Sequence, residues 1–185
     1  MRNFLRIDPG LDVTPLLLAI KQKPHLWDQN ALRTTHELTP HKQVSDIWLR
    51  FNDLTPYQNG DAAGVIDEHE SINYPAMFEL PQARPLIFWL MARMEGERLG
   101  RCLITKLPPG GRIAAHVDGG SHAAYYERVH IALQSNPQSL FRCGDEVINM
   151  QAGEVWWFQN AIEHEIWNDG DCDRIHLIVD LRTTR

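Results

Sequence analysis

Cysteine is scarce and poorly spaced for structural chemistry: Cys102, Cys143 and Cys172 are odd in number, lie far apart and form no C-x-x-C pair. Neither a disulfide framework nor a zinc ribbon is indicated, and the reducing cytoplasm is the expected compartment. Long apolar runs are missing as well. The one near the N-terminus, Pro15-Leu16-Leu17-Leu18-Ala19-Ile20, is too short for a secretory core or a bilayer span. Basic excess is absent too, since 18 Lys+Arg face 24 Asp+Glu for a net charge of −6. That balance argues against sequence-independent binding to nucleic acid, which needs a basic face to neutralise phosphates. No internal repeat, low-complexity tract or Gly/Ser/Pro-rich linker divides the chain. A soluble protein with no membrane and no nucleic-acid partner is expected.

What is there reads as globular. The hydrophobic fraction of 43% and aromatic fraction of 9% exclude a disordered chain. The 185 residues suit one domain, given about 150 residues per domain, and bury enough surface to fold without staples. Histidine is abundant: nine residues, roughly one in twenty, of the side chain that most often ligates metals.

The two halves differ in texture. Residues 14–23 read as a helix with Thr14 as N-cap and Pro15 in first position. Residues 47–51 are rich in strand formers. Residues 53–76, dense in Pro, Gly, Asn and Asp, read as a long surface loop. Residues 85–99 make the clearest helix, with Leu86, Trp89, Leu90 and Met94 on one face and Gly100 to close it. From Arg101 onward short runs of β-formers alternate with turns, at 103–107, 112–116, 128–133, 139–142, 146–149, 155–158, 163–167 and 174–181. Such spacing predicts a mainly β fold with supporting helices, a jelly roll or double-stranded β-helix. Residues 1–100 would be a support region and 101–185 the jelly-roll core of a single domain.

Polar residues interrupt these strands in register. His116 and Asp118 are two apart and share a face of an extended segment; so do Arg128 with His130, and Arg174 with His176 and Asp180. Such residues ordinarily lie on a solvated outer face. Taken together they suggest more. His116, Asp118 and the distal His164 are the two imidazoles and one carboxylate of the facial triad of non-haem Fe(II) oxygenases, which leaves three metal positions open. Arg174 follows His164 by ten residues, and a guanidinium there can grip the far carboxylate of 2-oxoglutarate with two prongs.

Residues 101–182 resemble the catalytic domain of the aspartyl/asparaginyl β-hydroxylase family of 2-oxoglutarate oxygenases. The likeness is carried by Leu107-Pro108-Pro109-Gly110 leading to His116, by Arg128-Val129-His130-Ile131-Ala132-Leu133, and by Gly153-Glu154-Val155 and Phe158. It continues through Glu163-His164-Glu165-Ile166-Trp167 and Arg174-Ile175-His176-Leu177-Ile178-Val179-Asp180. The resemblance implies His116 and His164 as iron ligands and Arg174 at the distal carboxylate of 2-oxoglutarate. It implies Arg128 and His130 beside the metal-chelating end of that cosubstrate, and Thr105 as the hydroxyl assisting Arg174. The animal members have glycine where this chain has Asp118, so Asp118 restores a full triad here. The implied reaction is hydroxylation of a C–H bond with O2, releasing succinate and CO2. The substrate would be an amino acid, a peptide Asp or Asn side chain, or a related small molecule.

Two other classes share the fold. A cupin-type metal enzyme would use H-x-H where this chain has H-x-D and would leave Arg174 without a task. A non-enzymatic jelly-roll binding module would not need the His/Asp/His set. Of the other histidines, His25, His36, His41 and His69 are expected in solvent. His122 falls in the segment 119–126, which reads equally as a loop or a lid. His176 is expected to support Arg174 or to face outward. Glu163 and Glu165, of opposite parity to His164, should point to solvent, and Trp156, Trp157 and Trp167 should serve as core or pocket wall.

Overall fold

Two antiparallel sheets face each other in the structure, a computed structural model that describes residues 1–35, 37, 39–60 and 67–184. The strands are β1 (Phe4–Asp8), β2 (Ser45–Phe51), β3 (Ile72–Asn73), β4 (Gly96–Leu107), β5 (Arg112–His116) and β6 (Glu127–Gln134). They continue with β7 (Ser139–Cys143), β8 (Glu146–Ile148), β9 (Val155–Phe158), β10 (His164–Asn168) and β11 (Arg174–Thr183). The helices are α1 (Thr14–Gln22), α2 (Leu32–Thr35), α3 (Thr55–Gln58), α4 (Pro75–Glu79), α5 (Ala83–Arg93) and α6 (Gly120–Tyr125). The larger sheet runs β1-β9-β6-β11-β4-β2-β3 and the smaller β5-β10-β7-β8. Together they form the expected jelly roll. Among the described residues no helix is long and apolar enough to cross a membrane.

Alternation along the strands decides which side chains meet the helices and which meet the second sheet. Ile175, Leu177, Val179 and Leu181 of β11 join Val129 and Ile131 of β6 on the outward face of the large sheet. There they pack against Leu16 and Ile20 of α1 and Leu86, Ile87 and Leu90 of α5. Each such side chain contributes roughly 1.5–3 kcal/mol by leaving water. The opposite, polar parity therefore turns inward. Arg174, His176, Asp180, His130 and Thr105 are all buried, and the polar face is internal because the helical layer, not water, covers the apolar side. Between the sheets a second cluster, with Phe4, Phe141, Trp156, Phe158 and Ile166 among its members, closes the rest of the interior.

Several boundaries shift for identifiable reasons. Helix α5 ends at Arg93, and Glu95 takes a left-handed φ of 52°. Residues 96–99 then leave the helix expected over 85–99, because Gly96, Arg98 and Leu99 pair with Thr183, Arg182 and Leu181 of β11. Gly100 is not a helix cap. It lies within β4 beside the irregularity opposite Asp180, where a Cβ would come 3.0 Å from the Tyr126 ring. The expected loop over 53–76 contains α3, β3 and the start of α4, and its residues 61–66 lie outside the described residues. Thr14 is the first helical residue of α1, not its cap, and its N–H is held by Asp12 Oδ1 at 3.0 Å.

Candidate active site

The end of β5, the entry to β10 and the inner face of β6 and β11 converge on one cavity. His116 and His164 stand directly opposite each other across the β5–β10 pair, with ring centroids 4.3 Å apart. Asp118, just beyond β5, is held through its backbone N–H by the carbonyl of Asn160 at 3.2 Å. Its Oδ1 lies 3.6 Å from His116 Nε2 and 3.9 Å from His164 Nε2, so three donor atoms point at a common centre.

The donor chemistry of this trio suits a divalent cation. Nδ1 of His116 donates to the carbonyl of Ala114 at 2.7 Å, and Nδ1 of His164 donates to the carbonyl of Ile162 at 2.9 Å. Each bond places a proton on Nδ1, so the neutral tautomer of either ring turns its Nε2 lone pair to the centre, the form in which imidazole binds a metal. Burial pushes the Asp118 carboxyl up, but the Arg128 charge and the neighbouring imidazoles outweigh that and hold it far below the usual range. Burial lowers His164. The carboxylate is ionised and that imidazole neutral.

Arg128 links the trio to the sheet behind it. Its Nη1 donates to Asp118 Oδ2 at 2.6 Å, while Nε and Nη2 bind Asp180 at 2.8 and 2.9 Å. Burial disfavours the Asp180 charge, yet Arg128 more than compensates and keeps its carboxyl well below the ordinary value. Asp180 also accepts from His122 Nε2 at 3.1 Å, which accounts for His122 being buried. That contact joins α6 to the floor of the site. The segment is secured further by Arg182 on the Tyr125 carbonyl, by Tyr126 Oη on the His69 carbonyl and by Asn160 on the Ala123 carbonyl.

Arg174 sits elsewhere on the cavity wall, buried, with its guanidinium over the Phe141 ring at 6.0 Å. Its Nη2 donates to His176 Nδ1 at 3.1 Å. Among the described residues it forms no ion pair, and burial alone brings it down to about 9. A buried guanidinium without an anion is costly unless a ligand supplies the charge. Thr105, opposite His176 in the β4–β11 register, borders the same cavity, as do Arg128 and His130. Ile113, Phe141, Phe158, Ile166 and Ile178 make the wall apolar between the polar groups.

Two residues on this wall escaped sequence reasoning. Arg33 of α2 reaches the cavity while its Nε binds the buried Asp46 at 2.8 Å. His41, expected in solvent, packs its ring 5.2 Å from that of His116, and burial, aided by the charge on Arg33, pushes it down to about 2. His69 is likewise no solvated residue, for it stacks on Tyr125 at 4.1 Å. Nothing local in the sequence marks these contacts. His25 is exposed as expected, and His36 lies outside the described residues. Glu163 and Glu165 do turn from the metal site and pair with Arg142.

Comparison with known proteins agrees with this geometry. Residues 21–184 match the model of the aspartyl/asparaginyl beta-hydroxylase family. A stretch of 56 residues, 30% of this chain, is 38% identical to L-proline cis-3-hydroxylase 1 of Streptomyces sp, and the match spans only 19% of that relative's length. A 2OG-Fe(II) oxygenase family oxidoreductase from Burkholderia pseudomallei has a similar fold, with a TM-score of 0.55 and 16% identity over 82% of this chain and 74% of that one. A prolyl-4-hydroxylase from Pseudomonas putida aligns over 99% of this chain and 94% of its own, with a TM-score of 0.51 and 14% identity. At such identities these two structures speak for the fold alone. The family match spans strands β2 to β11 and every residue of the site, and on that ground the chain belongs to the aspartyl/asparaginyl beta-hydroxylase family.

Proposed function

We propose that the protein is an Fe(II)- and 2-oxoglutarate-dependent hydroxylase. It would use O2 to oxidise a C–H bond of an amino acid, a peptide Asp or Asn side chain or a related small molecule, releasing succinate and CO2. The observation that carries this reading is the presence, in one buried cavity, of a His/Asp/His donor set and a guanidinium that has no anionic partner among the described residues. The first suits a metal with open positions, and the second suits the distal end of a dicarboxylate. Family membership and the fold shared with 2-oxoglutarate oxygenases support it.

Each side chain then has a task. His116, Asp118 and His164 would hold Fe(II), which supplies the O2 chemistry that no side chain provides. Arg128 orients the Asp118 carboxylate. Arg174 and Thr105 would bind the C5 carboxylate of 2-oxoglutarate, with Arg128 and His130 flanking its other end. The apolar wall excludes water and so strengthens these contacts. Residues 101–185 would serve as the oxygenase core and 1–100 as its support, with Arg33 and His41 bringing that support to the substrate side. The three cysteines are free thiols, in keeping with a cytoplasmic setting.

Anaerobic addition of Fe(II) and 2-oxoglutarate should produce a visible charge-transfer band. Admission of O2 with a panel of amino acids and peptides should release succinate. A protein that gives neither band nor succinate is not this enzyme.

A further inference from the structure

The contact between one arginine and two histidines behind the cavity fixes where protons sit. Arg174 Nη2 lies 3.1 Å from His176 Nδ1, and His130 Nδ1 lies 3.3 Å from the same atom. All three side chains are buried. A guanidinium only donates, so His176 Nδ1 presents a lone pair and its proton is on Nε2. The second contact is attractive only if His130 Nδ1 carries the hydrogen, shared onto the same acceptor. In a neutral imidazole that leaves Nε2 of His130 without a proton.

The direction of His130 gives this tautomer a consequence. Its Nδ1 edge faces His176 on the neighbouring strand β11, while the residue itself borders the cavity. The Nε2 lone pair is therefore the face it offers to a ligand. Burial, then the charges of Arg174 and Arg128, keeps this imidazole neutral in the free protein; His164 adds to them and Asp118 opposes. A lone pair repels a carboxylate oxygen, whereas an N–H there attracts it.

We propose that His176 is a positioning residue: it locks His130 in the Nδ1–H form, so that binding of 2-oxoglutarate draws one proton from solvent onto His130 Nε2. The Nε2 lone pair forms an N–H bond to a proton released by solvent or buffer, and no oxidation state changes. The resulting imidazolium donates through Nε2 to a cosubstrate carboxylate and through Nδ1 to His176, while Arg174 keeps its contact with His176. The inference rests on the proposed function, and its test separates the two.

Protein saturated with Mn(II), which does not turn over, is titrated with 2-oxoglutarate by calorimetry at one pH in PIPES, HEPES and Tris. In wild type the observed enthalpy plotted against buffer ionisation enthalpy should show uptake of about one proton per ligand, and Kd should tighten up to tenfold for each pH unit lowered. In His176→Leu the ring of His130 is free to carry its proton on Nε2, and uptake should fall towards zero with a flat pH dependence. His130→Gln, a neutral donor of similar reach, should bind without uptake and decides the matter if the leucine variant does not fold. Wild-type binding with no proton uptake, or uptake that persists in either variant, overturns the proposal. Absence of any 2-oxoglutarate binding by the wild type would instead overturn the functional reading beneath it.

Discussion

Arg128 places its Nη1 2.6 Å from Oδ2 of Asp118, the carboxylate whose other oxygen faces both metal-site histidines. The guanidinium cannot drift, because Asp180 holds its opposite edge with two hydrogen bonds. Asp118 thus has one oxygen fixed by the protein and one left for a metal. The orientation of a ligand is set by residues on two central strands of the large sheet.

Loosening that grip should weaken metal binding. Arg128→Met is expected to lower Mn(II) affinity by about 10- to 100-fold, as loss of an outer hydrogen-bond partner does elsewhere. Electron paramagnetic resonance titration of free Mn(II) measures it, and affinity equal to wild type would count against the orienting role. Asp180→Asn leaves the largely enclosed Arg128 charge with one anionic partner fewer and should cost up to about 3 kcal/mol in urea unfolding.

Metal and cosubstrate functions should separate by residue. His164→Ala is expected to lose bound Fe(II) after dialysis, read as metal content per chain. Arg174→Met should keep the metal and weaken 2-oxoglutarate by about 10- to 100-fold, the range of a lost charged hydrogen bond. Equal cosubstrate affinity in that variant would show that the unpaired guanidinium serves something else.

Stability of the metal-free protein should decline as pH falls from neutrality. Burial first, and the Arg174 charge next, hold His130 and His176 well below 6.5 in the folded state. Below pH 6.5 the unfolded chain takes up protons that the folded chain refuses, and stability drops by about 1.4 kcal/mol per pH unit for each such imidazole. Asp118 and Asp180, depressed in the fold, add to the loss once pH falls below the ordinary carboxyl value of 3.8. Urea midpoints between pH 7.5 and 5 test the first part, and a flat profile would contradict it. His176→Leu should make the slope shallower.

The outward face of the large sheet should behave as ordinary core. Leu177 is fully buried beneath the helices, so Leu177→Ala should cost about 2–5 kcal/mol. Metal binding at 25 °C should survive, since Leu177 points away from the cavity. A loss under 1 kcal/mol would mean that the helical layer packs loosely there.

Strand periodicity and turn residues made most of the second half legible. Strands β5 and β9 fall where the runs of β-formers between turns put them, and β6, β7, β10 and β11 differ by a residue or two at their ends. The first half was harder to read. Strand β1 carries no clear alternation, with Leu5 exposed, and forms because β9 offers it an edge. The stretch 96–99 continues a helical pattern yet pairs with β11, because a long partner strand outweighs local propensity.

By itself the sequence determined the fold class, through the even spacing of its short β-forming runs, and the chemistry on offer, through His116, Asp118, His164 and Arg174 at workable offsets. It could not say which parity of β6 and β11 faces inward, because either an outer helical layer or water can cover an apolar face. Tertiary structure decided that, by packing α1 and α5 on the apolar side and so enclosing the polar one. It also brought Arg33 and His41 to a cavity whose other residues lie far along the chain. Such contacts have no local signature, because they arise from the closing of two sheets.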